Sequence, residues 1–218
     1  EINHIPLIEK IAKTKKPVIL SIGLGSLTDI KLALKILRKY KSKKIIILQC
    51  VSSYPSPLNE QNLKIIPLIK KKFRVISGLS DHTLGTTTAM ASAALGASVI
   101  EKHFNLDDNK KTVDSFFSIK SSNFKKMVKE IRDVELAMGN SQIAVSKSSK
   151  KNLNSMRSIY VSKKINKGEK ISRDNIKVVR PAFGLHPKYY NKILGKKVNQ
   201  KLNFGDRLKL NYISRSKK

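Results

Sequence analysis

Apolar residues run in short unbroken stretches through the first two thirds of this chain, and in brief pieces punctuated by glycine from about residue 157 onward. In the first part "PVILSI" (17–22), "KIIILQC" (44–50), "RVISG" (74–78) and "SVIEKHF" (98–104) read as buried strands. Segments of helical period lie between them. "SLTDIKLALKILRKYK" (26–41) predicts an amphipathic helix with Ser26 as N-cap and Asp29 in the answering position of a capping box. "NEQNLKIIPLIKKKF" (59–73) predicts a less regular helix, broken or kinked near Pro67. A small-residue helix is expected at about 85–96 and another helix over 121–139.

Continuous rather than alternating strands, each followed by a helix, predict an α/β fold built on a parallel sheet covered on both faces. Residues 1–139 form this domain, the polar stretch 140–156 reads as a linker, and 157–218 as a small β-rich second domain. Within the latter, "KKINKGEKI" and "QKLNFGDRL" read as two copies of one device, an apolar residue leading into a glycine turn and another strand start.

Forty-five basic against 15 acidic residues give a formal charge of +30, enough to attract polyanions at low salt. The cations are mostly lysines scattered as in "KSSKKN", without interleaved aromatics or an arginine-rich reading helix, which argues for a solvated lysine surface rather than a nucleic-acid interface. The single cysteine, Cys50, excludes an intramolecular disulfide and a cysteine-based zinc cluster and fits a reducing compartment, the cytoplasm. "GTTTAMASAALGASVI" is too short and too rich in Thr, Ser and Gly to span a bilayer, so no membrane partner is expected.

Two of the four histidines, His82 in "SDHTLG" and His103 in "VIEKHF", close apolar runs beside acidic residues. On parallel neighbouring strands, about 4.8 Å apart, the two imidazoles could meet one divalent ion and leave positions open for catalysis. On spacing alone a hydrogen-bonded core or surface histidine is the commoner outcome. Asp81 and Glu101 could orient the imidazoles, or could face solvent or a lysine.

"SDHTLG", "ALGASVIEKHF", "KPVILSIGL" and "RPAFGLHP" together resemble the sialic acid synthase family, in order and across essentially the whole chain. Those enzymes condense phosphoenolpyruvate with an N-acylated amino sugar. The resemblance implies the C-terminal part of a (β/α)8 TIM barrel followed by a β-clip antifreeze-like (SAF) domain, which in the family reaches across a homodimer into the neighbouring barrel. It implies that His82 and His103 hold a divalent metal, manganese or else magnesium or cobalt. It further implies that Ser21 and Ser80 hold the phosphate of phosphoenolpyruvate, and that Tyr54, Asp114 and Glu1 surround the amino sugar. Arg180 would face the sugar's acyl group in the neighbouring subunit.

"CVSSYPSP", "VDSFFSI" and "RPAFGLHPKYY" resemble the pseudaminic acid synthases within that family, which implies a 2,4-diacetamido-2,4,6-trideoxy sugar. N-acetylneuraminate or legionaminic acid synthesis is the alternative. Phe116 and Phe117 would suit an apolar, deoxygenated sugar or else a core. A whole barrel takes about 250 residues and eight strands, against four strands here, so the amino-terminal half of the barrel is expected to be absent. An inactive fragment that binds anions or nucleic acid through its basic small domain is the reading of another class.

Overall fold

A computed structural model describes residues 1–42, 44–106 and 111–214. The chain divides into two compact units, Glu1–Ser141 and Gln142–Lys218. The first unit opens with helix α1 (Ile5–Lys13), with Pro6 in its first turn, where a missing N–H costs nothing. Then follow β1 (Val18–Ser21), α2 (Leu27–Lys39), β2 (Ile45–Cys50), α3 (Ile65–Phe73), β3 (Ile76–Asp81), α4 (Thr87–Ala94) and β4 (Val99–Lys102). The four strands are all parallel and lie side by side in chain order. That is the winding of one half of a (β/α)8 barrel.

Sequential order with same-handed crossovers puts the helices on one face of the sheet. The expectation of two covered faces therefore fails. Val18 and Leu20, in register with Ile45 and Ile47, turn to the helices and pack with Leu34 and Leu37 of α2. Leu34 and Leu37 are almost fully buried, which stabilises the layer by about 2 kcal/mol each. Ile19 and Ile76 point to the other face, the inside of the curl, and are 53% and 41% exposed. On that face Gly78 is required: a Cβ there would lie 2.2 Å from the Val99 carbonyl oxygen and 2.6 Å from Leu48.

The capping box forms as the sequence predicts. The Ser26 hydroxyl accepts from the Asp29 N–H, and the Asp29 carboxylate accepts from the Ser26 N–H at 2.9 Å and hydroxyl at 2.6 Å. The bond from the Ser26 hydroxyl, then that from its N–H, holds the Asp29 carboxyl below its usual range. The kink expected at Pro67 is absent. A 3-10 turn covers Leu58–Glu60 and α3 starts afresh at Ile65, so Pro67 falls in its first turn, where no helical partner is lost.

After β4 come two short strands, β5 (Phe104–Asn105) and β6 (Ile119–Lys120), paired in parallel, and then α5 (Ser121–Met138). Met127 and Ile131 of α5 pack on Ala89 of α4 and on Ile100. Among the described residues no helix is long and apolar enough to cross a membrane.

In the second unit β7 (Ser158–Val161) pairs antiparallel with β8 (Ile176–Val179), and a short α6 (Tyr190–Ile193) follows. Most other pairing is by isolated bridges around a core that includes Ile159, Ile165, Ile171, Val198 and Leu202. The two "glycine-turn" copies meet each other here. Ile165 and Leu202 exchange both backbone hydrogen bonds, at 2.9 and 2.8 Å. In one copy the Asn166 N–H donates to the Glu169 carboxylate; in the other the Asn203 N–H donates to Asp206. Gly168 and Gly205 both take positive φ, 83° and 87°, the conformation that makes glycine the low-cost residue in each turn.

Candidate active site

Side chains alternate along a strand, so in the registered pairs the inside face carries Ser21 on β1, Cys50 on β2, Ser80 on β3 and Glu101 on β4. His82 and His103 continue the inward alternation one step past the last residues of β3 and β4. Both imidazoles thus reach the same rim, at the carboxyl ends of adjacent strands. Their ring centroids are 5.3 Å apart.

What fixes the His82 ring is a backbone group. Nδ1 donates to the Val51 carbonyl at 2.9 Å, which leaves the lone pair of the neutral ring on Nε2. The Cys50 Sγ lies 3.9 Å from the same Nδ1, and the His82 carbonyl accepts from the Ser56 N–H. His103 is held from the opposite side, with Nδ1 3.5 Å from the Asp114 carboxylate. Phe117, buried, packs on the His103 ring at 4.7 Å, and Tyr54 lies 4.2 Å from His82 and 5.8 Å from His103. Tyr54, His103, Asp114, Phe117, Val113 and Phe116 line an open cavity of about 440 Å³.

The acidic neighbours have other work. Asp81 and Lys102 are paired in register and face the helices, not the histidines. Lys102 Nζ donates to Asp81 Oδ2 at 2.9 Å and to the Thr83 carbonyl at 2.6 Å, with both side chains all but fully buried. The same carboxylate accepts from the Thr83 N–H and hydroxyl and from the Thr88 hydroxyl of α4. The turn containing His82 is therefore tied to β4 and α4 at once. Glu101 accepts from the Ser80 hydroxyl at 2.7 Å. Of the two readings for these acids, orientation of an imidazole is the one the contacts do not bear out. Asp81 faces a lysine, while Val51 and Asp114 take the Nδ1 atoms.

Of the sequence-derived residues, His82, His103, Asp114 and Tyr54 come together. Ser80 lies just beneath on the inside face. Ser21 is exposed on that face but two strands away, about 10 Å across the sheet. The Glu1 carboxylate meets the His4 ring at 3.3 Å, at the entry to α1. Arg180 is exposed in the second unit, directly after β8. The loop behind it is tied down: the Ser158 hydroxyl donates to the Pro181 carbonyl at 2.7 Å and accepts from the Gly184 N–H at 2.8 Å. A Cβ on Gly184 would lie 2.4 Å from the Ile159 carbonyl oxygen. Sequence reasoning did not find Val51, because a backbone carbonyl leaves no trace in residue identity. Lys102 could have been found from its place between a strand and His103.

The rim fits a divalent ion in donor chemistry, since two imidazoles with engaged Nδ1 atoms offer two Nε2 lone pairs. Among the described residues no group of three or more His, Cys, Asp or Glu is disposed around one point. Two imidazoles are thus what these residues offer.

Residues 1–143 match the NeuB family and residues 156–210 the SAF domain. The pseudaminic acid synthase of Campylobacter jejuni (strain 81-176) is 43% identical over 209 residues, which cover 96% of this chain and 61% of that protein. The N,N'-diacetyllegionaminic acid synthase of Campylobacter jejuni (strain NCTC 11168) is 42% identical over 199 residues, covering 90% of this chain and 60% of that protein. The crystal structure of the spore coat polysaccharide biosynthesis protein SpsE from Bacillus subtilis superposes with a TM-score of 0.60 at 30% identity, covering 100% of this chain and 66% of its own. This chain spans about three-fifths of the length of the curated relatives it matches. With a match over 143 residues that takes in the whole histidine rim, the chain belongs to the NeuB family.

Proposed function

We propose that this chain carries the metal-holding rim and amino-sugar site of a sialic-type acid synthase, which condenses phosphoenolpyruvate with an N-acylated amino sugar. The observation that carries the reading is the histidine pair, 5.3 Å between rings, with His82 Nδ1 bonded to the Val51 carbonyl and His103 Nδ1 3.5 Å from Asp114. In the reaction carbon 3 of phosphoenolpyruvate bonds to the sugar's aldehyde carbon, water adds at carbon 2, and phosphate leaves. His82 and His103 would hold the divalent ion, manganese or else magnesium or cobalt, which when bound would supply polarisation of the aldehyde oxygen.

The chain's own residues do the rest. Asp114, 3.5 Å from His103 Nδ1 and with its side chain 55% exposed, can accept from a sugar hydroxyl. Tyr54 and Phe117 pack against the two rings and hold them in place. Ser80 reaches a phosphate oxygen only by giving up its bond to Glu101, because carboxylate and phosphate repel; Glu101 is exposed and free to turn away. Ser21 approaches the phosphate from β1. Glu1 would bear on the sugar only by leaving His4. Arg180, on its clamped loop, serves the acyl group of a sugar bound in the neighbouring subunit of a homodimer, and the assembly works in the cytoplasm.

We assign the sugar as 2,4-diacetamido-2,4,6-trideoxy-altrose, giving pseudaminic acid. Phe116 is 68% exposed in the cavity beside Val113, an apolar wall for carbons that lack hydroxyls. The legionaminic acid synthase is nearly as similar to this chain, so legionaminic or N-acetylneuraminic acid formation is the alternative. Phosphate release by the longer polypeptide carrying this chain tests the proposal. The trideoxy sugar should be preferred over N-acetylmannosamine by about a hundredfold in kcat/KM, and chelation should abolish turnover. Equal use of the two sugars would overturn the sugar assignment, and turnover in chelator would overturn the role of the rim.

A further inference from the structure

The opposite end of the sheet holds a second cleft that the synthase chemistry does not use. It lies where α2 and α3 end and β2 and β3 begin, and has a volume of about 490 Å³. Arg38, Lys44, Lys70 and Arg74 line it, together with Ser42. None of the lining residues is acidic, so four positive charges share one hollow without a carboxylate among them to offset their repulsion.

Arg74 sits at the end of α3 with φ 52° and ψ 49°, a left-handed position that asparagine also adopts at low cost. Arg38 is fixed rather than free, donating from Nη2 to the Phe73 carbonyl. The floor is apolar, made by Ile45, Val75 and Ile76.

We infer that this cleft is a binding site for a small molecule carrying a pyrophosphate group. Guanidinium and ammonium side chains lining one cleft can match several phosphate oxygens at once, which a single monovalent anion cannot satisfy. The volume holds one small ligand. The ligand is either inorganic pyrophosphate or an organic diphosphate whose carbon part rests on the apolar floor. The site is separate from the histidine rim, and nothing in it depends on the synthase reading.

Calorimetric titration at physiological salt tests this, with inorganic pyrophosphate and a nucleoside diphosphate as probes. Arg74→Asn, which suits the left-handed backbone, should weaken pyrophosphate binding by about fivefold or more. Lys70→Gln, which removes a second cation of the lining, should weaken it about threefold or more. Lys125→Gln with Lys129→Gln, a charge-reducing control on α5, should change binding by less than about twofold. Tighter binding of the nucleoside diphosphate would identify the organic source, and equal binding the inorganic one. Three results would each overturn the site: a control that weakens binding as much as Arg74→Asn; Lys70→Gln binding as tightly as the parent; or pyrophosphate protecting amides at the histidine rim instead of 44–45 and 74–76 from exchange.

Discussion

Lys102→Met isolates the buried pair that ties the histidine rim together. The substitution keeps the length of the stem and removes the ammonium, leaving the fully buried Asp81 carboxyl without its ion-pair partner. Asp81 Oδ2 would keep only the Thr88 hydroxyl, and the Thr83 carbonyl would lose its bond from Lys102. Removing one member of a buried ion pair typically costs about 3–5 kcal/mol. The two bonds from Thr83 to Asp81 Oδ1 remain and soften the loss, so the lower figure, about 3 kcal/mol, is expected. Against a total stability of about 5–15 kcal/mol that is a large fraction. Because the chain has two units, the assay must be local. Exchange of the β3 and β4 amides as a function of urea reads the first unit alone. Asp81→Asn combined with Lys102→Met should be less destabilised than the two single changes added together, by about 2 kcal/mol or more. A Lys102→Met protein within about 0.5 kcal/mol of the parent, or additive single changes, would show that the pair does not hold the rim.

Two other outcomes follow from the same geometry. The folded state lowers the Asp29 pKa below the usual 3.8, so the unfolded chain binds the proton more readily; the cap's contribution is present above that value and disappears as pH falls through the lowered one. Exchange protection in the first turn of α2 should therefore fall at acid pH, and Asp29→Asn should flatten that dependence; an unchanged acid profile in the variant would refute it. In the second, inactive Arg180→Ala and His103→Ala forms of the longer polypeptide, mixed and allowed to exchange subunits, should recover about a quarter of parental activity if each site draws on two subunits. No recovery from a mixture shown to form heterodimers would place Arg180 in the subunit that carries its own histidines.

The alternation of strand and helix was legible because apolar period and length carry it, and so was the Ser26–Asp29 cap, which is written in two residues three apart. The number of covered faces was not. Ile19 and Ile76 read as core from composition, and only the strand order shows that they face the inside of the curl. The approach of His82 and His103 was legible from two histidines that close successive apolar runs, whereas their place one step past β3 and β4 is seen only in the structure. Their orientation was not legible, because His82 is set by the Val51 carbonyl and His103 by an aspartate eleven residues away. Asp81 illustrates the same limit: its sequence neighbour is a histidine, but alternation turns its side chain to the opposite face, where Lys102 meets it.

Manganese binding followed by electron paramagnetic resonance, on the parent and on His82→Ala and His103→Ala, tests the central claim most directly. Each single variant should lose about tenfold or more in affinity, and Asp114→Asn, which loosens only the orientation of His103, should lose less than His103→Ala. Parental affinity in both histidine variants would contradict the assignment of these two imidazoles to one ion.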